Sequence, residues 1–307
     1  MIGRYLFRRV GQGVLLLLGV TVVTFTLLYL LPSDPARMIA GRTASADAVE
    51  HVRVQLGLNL PLYQQYWNFL GRILHGDLGR SYMQRVDVSM LVSSRLWPTL
   101  QLMLASISFE LLIGVSAGVL AALRPHHALD HATMVMTFVG LSAPQFVVGI
   151  LLLYVFAMQL GWFPMGGYGS PIHLVLPALS LGLLGSGWYS RVTRSEMIDV
   201  LHQDYIRTAK AKGAGAWRTI MVHAFRNAVL PVIAMVGMDI GYFMSGVVVV
   251  ESVFGWPGIG QLMWQAIQSV DAPVILAITL VSATAIVLGN LLADVVTLFV
   301  DPRIKLR

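Results

Sequence analysis

The chain has 307 residues, of which 56% are hydrophobic and only 12% are charged, and its mean hydropathy is +0.73. Because a soluble domain carries about 25% charged residues, this composition excludes an ordinary soluble domain and indicates an integral membrane protein. Cysteine is absent, which excludes disulfides and cysteine-based zinc sites.

The chain starts with the basic segment "MIGRYLFRRV", and an apolar stretch over residues 10–31 follows it. This stretch is longer than the apolar region of about 7–15 residues in a secretory signal, and the following "PSDPARMIAG" is a poor cleavage site. We therefore predict a first transmembrane helix that stays in place, with its amino end in the cytoplasm.

Further apolar stretches are each long enough to cross about 30 Å of hydrocarbon. They cover residues 98–123, 133–160, 172–190, 227–250 and 274–300. The sequence thus predicts an all-α, polytopic membrane protein of about six transmembrane helices, with both termini on the cytoplasmic side. Its regions are the amino terminus and first helix at 1–31, an outer loop at 32–97, and a five-helix core at 98–307 that contains a polar loop at 191–231.

The basic residues test this topology, because short cytoplasmic loops are rich in Lys and Arg. With the amino end inside, fourteen of the 21 basic residues lie in inner segments, and the other seven lie in the long outer loop. Loops longer than about 60 residues largely escape the rule. The net charge of +6 therefore reflects orientation, and nucleic-acid binding is not expected, since basic patches interleaved with aromatic residues are missing.

The outer loop has two segments with helical character. "ADAVEHVRVQLGL" shows helical spacing of apolar residues, and "NLPLYQQYWNFLGRILHGDLG" has Pro near its start and Gly near its end. We predict two short helices, the second of them amphipathic and lying near the lipid at the outer membrane surface.

The densest charge of the chain lies between two apolar stretches, in "DYIRTAKAKGAGAWRTIMVHAFRNAVLPVI" at residues 204–233. The pattern predicts one helix from "SEMIDVL" to Gly213 and a second helix from "AWRTIM" onward. Gly213 permits a left-handed turn between them, and Pro231 suits the first turn of the next transmembrane helix. The apolar residues of the second helix recur at helical spacing and predict one apolar face: Trp217, Ile220, Met221, Ala224 and Phe225.

This segment resembles the EAA loop, the coupling motif of ABC-importer permeases, in which small residues and an essential glycine precede a helix that closes in Leu-Pro. Arg207 and Thr208 replace the Glu-Ala of the sugar-permease form, and Leu230-Pro231 come a few residues later than in that form. Both departures are similar to the peptide and nickel branch. Other segments resemble that branch in order along nearly the whole chain, among them "LPSDPAR", "LGLNLPLYQQYW", "GDLGRSY", "LSAPQF", "GWPGIGQ" and "NLLADVV".

The resemblance implies an inner-membrane subunit with the type I permease fold of ABC importers. It implies as partners a second homologous permease, one or two ATPase subunits inside the cell, and a periplasmic substrate-binding protein. The ATPases would move the 204–231 segment as a rigid unit, which tilts the helices between inward-open and outward-open states. The residues implied in this coupling are Ala209, Gly213, Trp217 and Met221, with rim charges from Arg207, Lys210 and Arg218.

The sequence contains no G-x-x-x-x-G-K-[ST] phosphate loop, and no lysine follows a glycine anywhere in it. We therefore expect ATP and Mg²⁺ to be bound by the partner ATPases. This chain is then a pore subunit with no catalytic residues and no cofactor or metal of its own.

Three acidic residues fall within the predicted spans: Glu110, Asp239 and Asp294. Because a charge at mid-membrane costs at least ~3 kcal/mol, each is a candidate functional group, the alternative being structural pairing across helices. Structural pairing is favoured for Asp294, near the cytoplasmic end of its helix, whereas both interpretations stay open for Glu110. If Asp239 faces the pore, it could attract the ammonium of a peptide or a metal complex.

Histidine and methionine side chains raise a metal-site hypothesis. They are His126, His127 and His131 in "RPHHALDH", and Met235, Met238 and Met244. A zinc site usually needs three or four protein ligands, so a solvated turn is the favoured interpretation for the histidines. Methionine is a soft ligand for transition metals, although adaptable packing explains it more commonly.

Proline and glycine mark two further features. Pro144 predicts a kink in the third span. The outer loops "FPMGGYGSP" and "FGWPGIGQ" suit docking of the binding protein or gating, although loop closure alone also explains their composition.

We predict import of di- or oligopeptides, with Glu110, Asp239, Met238 and Met244 along the substrate pathway. Import of nickel, a metal chelate or a glutathione-like cargo stays open within the same architecture. A proton-coupled secondary transporter that uses Glu110 and Asp239 as relays would predict an inverted repeat, which the sequence does not show. A passive membrane anchor is the remaining hypothesis.

Overall fold

The computed structural model describes residues 2–30, 34–41 and 43–300, and the chain is mostly helical there. Within these ranges the only strand-like pairing is an isolated antiparallel bridge between Arg80 and Asp87. The all-α prediction is confirmed.

Sixteen α-helices lie in the described residues, and three π-helical segments continue some of them. The first four helices in the chain are α1 (Ile2–Leu30), α2 (Pro35–Ala40), α3 (Ala46–Gln55) and α4 (Leu62–Leu74). Next come α5 (Val88–Phe109), the π segment Glu110–Val115, α6 (Ser116–Leu123), α7 (Ala128–Ser142), α8 (Gln145–Leu152) and the π segment Leu153–Gln159. The central part consists of α9 (Pro171–Leu201), α10 (Asp204–Ala211), α11 (Ala216–Arg218), the π segment Thr219–Phe225 and α12 (Arg226–Ala228). The chain continues through α13 (Leu230–Met244), α14 (Val248–Phe254), α15 (Ile259–Gln268) and α16 (Ala272–Val300).

Length and composition identify the helices that can cross a membrane. Four continuous helical stretches within the described ranges qualify: Phe7–Leu27, Val88–Leu123, Pro171–Leu201 and Ala272–Val300. Two broken pairs, each bent by more than 40°, also qualify when each pair is taken together: Ala128–Gly140 with Gln145–Gln159, and Ala216–Ala228 with Leu230–Met244. The prediction of about six spans therefore holds if each bent pair crosses once.

The structure changes the extent of several predicted spans. The second begins at Val88, and Pro98 lies inside its helix. The third is interrupted before Pro144, which begins a new helix rather than bending a continuous one. The fifth ends at Met244 instead of running to residue 250, because Gly246 adopts φ +93° and starts a turn.

Helix α9 lies at the centre of the bundle, where it contacts α5, α6, α7, α8 and α13, and α16 packs against α13 and α1. Small residues let the central helices approach closely. A Cβ atom at Gly114 would lie 2.6 Å from the carbonyl oxygen of Ser186, and one at Gly118 would lie 2.6 Å from that of Ser190. Close backbone contact of this kind is a common way for helices to associate in membranes.

Two polar contacts tie distant parts of the chain together. Near the end of α16, Asp294 forms a 3.0 Å ion pair with Arg9 of α1, the structural pairing favoured for it from sequence. Ahead of α16, the buried carboxylate of Asp271 accepts hydrogen bonds from the hydroxyl of Ser81 and from the backbone amides of Tyr82 and Met83. The outer segment is thereby fixed to the helical core.

Candidate functional sites: a projecting hairpin and an acidic cavity

The polar central segment forms a helical hairpin at the end of α9. The chain turns at His202 and Gln203 before α10 begins. The prediction of one continuous helix up to Gly213 is wrong at this turn. In place of that helix, α9 extends past its apolar part to Leu201, and α10 starts again at Asp204.

Gly213 closes α10 in the predicted left-handed conformation, with φ +80°. Its amide donates to the carbonyl of Lys210, and the amide of Ala214 donates to the carbonyl of Ala209. This pair of bonds is the Schellman motif, which satisfies the last carbonyls of a helix and favours glycine. The left-handed turn predicted at Gly213 is confirmed.

One side of the hairpin is buried against the bundle. Ile206 of α10 and Ala224 and Ala228 of the second arm are fully buried, and they pack with Met197 of α9 and Ala122 of α6. The amide of Asn227 also donates a 3.1 Å hydrogen bond to the hydroxyl of Tyr205, which joins the two arms. These contacts fix the hairpin to the ends of two bundle helices.

The opposite side of the hairpin is exposed, and it carries a large aromatic side chain. Trp217 is 74% exposed, whereas Met221 and Ala209 are half-buried. The prediction that Trp217 shares one apolar face with Ala224 is wrong, since Ala224 is buried and Trp217 is not. The π segment Thr219–Phe225 has a wider turn than an α-helix. Residues whose spacing would place them on one face of an α-helix therefore point in different directions here.

Basic side chains are also exposed on the hairpin. Lys210, Lys212 and Arg218 are exposed, and Arg207 forms only an exposed 3.6 Å ion pair with Asp204. Exposed pairs of this kind contribute little to stability. The hairpin thus presents an exposed indole within a positively charged surface.

A second site lies inside the bundle, where the structure brings Glu110 and Asp239 together in one cavity of about 240 Å³. Glu110 begins the π segment after α5, and Asp239 lies in the middle of α13. The cavity also contains Tyr189 of α9 and Gln145 at the start of α8. Both carboxyl groups thus line the same cavity, although they come from different helices.

Hydrogen bonds hold the walls of this cavity. The hydroxyl of Tyr189 donates to Asp239 Oδ2. The side-chain amide of Gln145 donates a 2.8 Å hydrogen bond to the hydroxyl of Tyr242. In the part of the chain that the structure describes, no Lys, Arg or His lines this cavity.

Glu110 is only 3% exposed, and its Oε2 atom has no hydrogen-bond partner among the described residues. Gly185 of α9 provides the space for its carboxyl group. Since buried polar atoms are nearly always hydrogen-bonded, an unpaired carboxyl oxygen at a cavity is an exception that a ligand or solvent can satisfy.

The two methionines predicted along the pathway lie in different places. Met238 is 59% exposed, one residue before Asp239. Met244 is 4% exposed and belongs to the hydrophobic core. Neither methionine is among the residues that line the cavity: Met238 lies on the exposed surface of α13, and Met244 lies in the packing of the bundle.

Sequence reasoning missed Tyr189 and Gln145. Both are polar residues within or beside predicted spans, and intramembrane polarity was weighed for charged residues alone. Applying the same rule to neutral polar side chains could have identified them.

The histidine-rich turn holds a structural ion pair. Asp130 is buried, and Arg194 of α9 donates to both of its oxygens, with Nη2 at 2.7 Å from Oδ2. The backbone amide of His126 donates to the same carboxylate at 2.8 Å. No cluster of three or more metal-ligating side chains occurs in the described ranges, and Asp130 here connects α7 to α9.

The two Gly- and Pro-rich outer loops pack on each other. The amide of Gly167 donates to the carbonyl of Phe254 at 2.8 Å, and the rings of Tyr168 and Trp256 meet edge to face at 4.9 Å. The buried indole of Trp256 donates to the carbonyl of Pro98 at 3.0 Å. The loops are thus parts of one outer assembly.

Glu251 lies at the base of this outer assembly. Its carboxyl group is fully buried, and Oε2 accepts a 2.6 Å hydrogen bond from the backbone amide of Gln261 in α15. Burial raises the pKa of Glu251 to about 7. Removal from water disfavours the ionised form of a carboxyl group, which explains the direction of this change.

Comparisons with known proteins agree with this architecture. The family model described as "Binding-protein-dependent transport system inner membrane component" matches residues 114–306, and the model of its N-terminal region matches residues 1–103. The chain is also similar to the glutathione transport system permease protein GsiC of three bacteria. Identity is 39% to the Escherichia coli (strain K12) protein, 40% to that of Salmonella choleraesuis (strain SC-B67) and 38% to that of Shigella flexneri serotype 5b (strain 8401). Each match extends over 301 residues and 98% of both chains.

Together the two models cover nearly the whole sequence, and the predicted resemblance to ABC-importer permeases of the peptide and nickel branch is confirmed. The chain belongs to the family of inner-membrane components of binding-protein-dependent transport systems.

Proposed function

We propose that this chain is one transmembrane subunit of an ATP-driven importer that moves peptide-like cargo by alternating access. The observation that carries the proposal is the hairpin of α10–α12, which is buried against the bundle through Ile206, Ala224 and Ala228 and exposes Trp217 and several basic residues. The relatives are named for glutathione transport, which supports a peptide-like cargo over a nickel complex.

The hairpin would transmit the work of ATP hydrolysis from partner ATPases to the bundle. Trp217 and Met221 would fill a groove on the ATPase, as apolar anchors do in other helix-in-groove contacts. Arg207, Lys210 and Arg218 would surround that contact with charge. Ala209 and Gly213 would keep the hairpin compact, and ATP and Mg²⁺ would bind in the partners.

The acidic cavity would form part of the cargo pathway. Asp239 is half-buried, and the nearby Tyr242 is 51% exposed. Lipid tails cannot satisfy polar groups on a membrane-facing surface, so this face fits contact with a second permease subunit and a water-accessible path. In this arrangement Glu110, Asp239 and Met238 line the path, and Met244 packs behind it.

The other partners follow from the same arrangement. A substrate-binding protein would deliver cargo to the outer loop assembly around Trp256, and both chain termini would lie in the cytoplasm with the hairpin.

Reconstitution tests the function directly. The chain is assembled with its partner permease, ATPases and binding protein in proteoliposomes, and uptake of labelled di- and oligopeptides is measured with ATP or with a non-hydrolysable analogue. We expect uptake with ATP but not with the analogue, and we expect unlabelled peptides to inhibit the uptake of the labelled ones. Uptake driven by a proton gradient without ATP would support a secondary transporter, uptake of nickel without peptide would change the cargo class, and no uptake of any solute would leave a passive anchor.

A further inference from the structure

The acidic cavity has the chemistry of a binding site for a single cationic group. Glu110 and Asp239 supply two carboxyl groups from different helices, and no basic side chain among the described residues lines the space between them. Glu110 lines this cavity and is almost completely buried, and its Oε2 atom has no hydrogen-bond partner among the described residues. A buried acceptor without a partner costs free energy, and a ligand with N–H donors would satisfy it.

The walls of the cavity favour an organic ammonium group over a metal ion. Besides the two carboxyl groups, the lining contains polar and aromatic side chains, namely Gln145, Tyr189, Trp188 and Tyr242, and its other residues are apolar. Metal sites usually need three or more ligating groups, and no such cluster occurs within the described residues. Aromatic faces attract ammonium groups, and an ammonium carries three donors for the carboxyl oxygens.

The size and opening of the cavity indicate which part of a cargo it can take. Its volume of about 240 Å³ is below the ~300–1,000 Å³ of pockets that enclose a drug-sized ligand. Trp188 and Tyr242 are about half exposed, at 47% and 51%, so the cavity is open on that side. It therefore suits one end of a larger molecule.

We propose that this cavity binds the protonated amino terminus of the cargo peptide as it crosses the membrane. Glu110 Oε2 and Asp239 accept hydrogen bonds from the ammonium, and Tyr189 is a positioning residue that orients Asp239. This proposal rests on the proposed transport function and adds the chemical group that the membrane subunit recognises.

A direct binding assay on the membrane complex tests this proposal without the substrate-binding protein, which would otherwise select the cargo. The chain has no native cysteine, so Leu184→Cys, which replaces a half-buried apolar residue of the cavity lining, gives a single thiol in the cavity wall. The membrane complex, with cysteine-free partners, is treated with a maleimide in the presence of alanyl-alanine amide or its N-acetylated form. We expect the free amine to protect the thiol at a concentration about tenfold lower than the acetylated peptide, as charge-assisted hydrogen bonds would produce.

Variants identify the groups responsible. Glu110→Gln and Asp239→Asn, each in the Leu184→Cys background, should remove the preference for the free amine, and Tyr189→Phe should reduce it. Asp199→Asn, which neutralises an exposed acid on α9, is the matched control and should keep the preference. Circular dichroism and size-exclusion profiles check that the variants fold.

Several results would overturn the inference. They are equal protection by both peptides, no protection by either, or an unchanged preference in both acid variants. Uptake by the wild-type complex separates this failure from failure of the proposed function. If the complex takes up peptide with ATP but shows no preference for the free amine at the cavity, only this inference is contradicted. If the complex takes up no peptide, the proposed function is contradicted.

Discussion

Gly185 of α9 lies directly against the carboxyl group of Glu110, and a Cβ atom at position 185 would occupy the same space as that group. The two residues come from different helices, yet the absence of a side chain on one determines where the other can point. Only the flexible end of the glutamate has to move if this space is filled, so the bundle itself can persist.

Gly185→Ala should therefore displace the Glu110 carboxyl and lower peptide uptake strongly, while overpacking costs about 1–3 kcal/mol of stability. Uptake in proteoliposomes and thermal melting in detergent measure the two effects. Gly19→Ala is the matched control, since a Cβ atom there meets nothing within 4 Å. Normal uptake by Gly185→Ala would show that the position of Glu110 is unimportant.

Gly213→Ala tests the hairpin turn, because the left-handed conformation costs about 1–2 kcal/mol for a residue with a Cβ atom. We expect reduced uptake at unchanged membrane insertion, and complete loss in Gly213→Val and Gly213→Pro. Gly215→Ala is the control, since Gly215 has φ −60° and equally open surroundings. Wild-type uptake by Gly213→Val would remove the coupling role.

The native absence of cysteine allows a clean test of orientation. Lys212→Cys in the hairpin and Met83→Cys in the outer segment both replace exposed residues. We expect an impermeant maleimide to label Lys212→Cys only in inside-out vesicles and Met83→Cys only in right-side-out vesicles. The reverse pattern would contradict the proposed topology and the site of ATPase docking.

Breaking the Asp130–Arg194 pair should destabilise the protein, because Arg194 is only 20% exposed and would lose its partner. We expect Asp130→Ala to cost about 3–5 kcal/mol, measured by thermal melting. The double variant Asp130→Ala with Arg194→Leu should recover part of this loss, since no unpaired charge remains. Asp204→Ala, which breaks the exposed pair with Arg207, should leave melting unchanged. Equal melting of Asp130→Ala and wild type would show that the pair is not structural.

Glu251 predicts a specific pH dependence of stability. Burial raises its pKa from the ordinary value of 4.5 to about 7, so the folded protein binds more protons than the unfolded chain between these two values. The contribution of Glu251 to stability is then greatest below about pH 4 and decreases by about 3 kcal/mol as pH rises to 7. Glu251→Gln keeps an acceptor for the Gln261 amide without a titrating group, and melting temperatures against pH should lose this decrease. Parallel profiles for variant and wild type would contradict the prediction.

Local patterns were enough to predict the hairpin turn. Gly213 follows a helical run and precedes another, and the conformation it requires depends only on its neighbours in the chain. The same holds for the apolar stretches, since membrane thickness sets their length. The error at Trp217 has a local cause too, because a π segment changes the spacing at which residues share a face and has no clear sequence signature.

The cavity depends on contacts that no local pattern encodes. Glu110 and Asp239 were each identified as costly intramembrane charges, but their meeting depends on how α5, α9 and α13 pack. The space that Gly185 leaves for the Glu110 carboxyl group and the hydrogen bond from Tyr189 to Asp239 also join residues that are far apart in the sequence. The pairing of Asp294 with Arg9 could be anticipated only as a class of contact, without its partner.

Helix α9 runs without a break for 31 residues, which corresponds to a length of about 46 Å. Its middle carries Gly185 and Tyr189 at the acidic cavity, and its carboxyl end leads into the hairpin through a turn at His202 and Gln203. Because a continuous helix transmits movement along its length, a displacement of one end of α9 also displaces its middle. If a partner ATPase moves the hairpin, as we propose, the packing of the hairpin on Met197 of α9 would pass that movement to the helix that carries Gly185 and Tyr189. The proposed coupling segment and the proposed cargo site are then connected through a single helix.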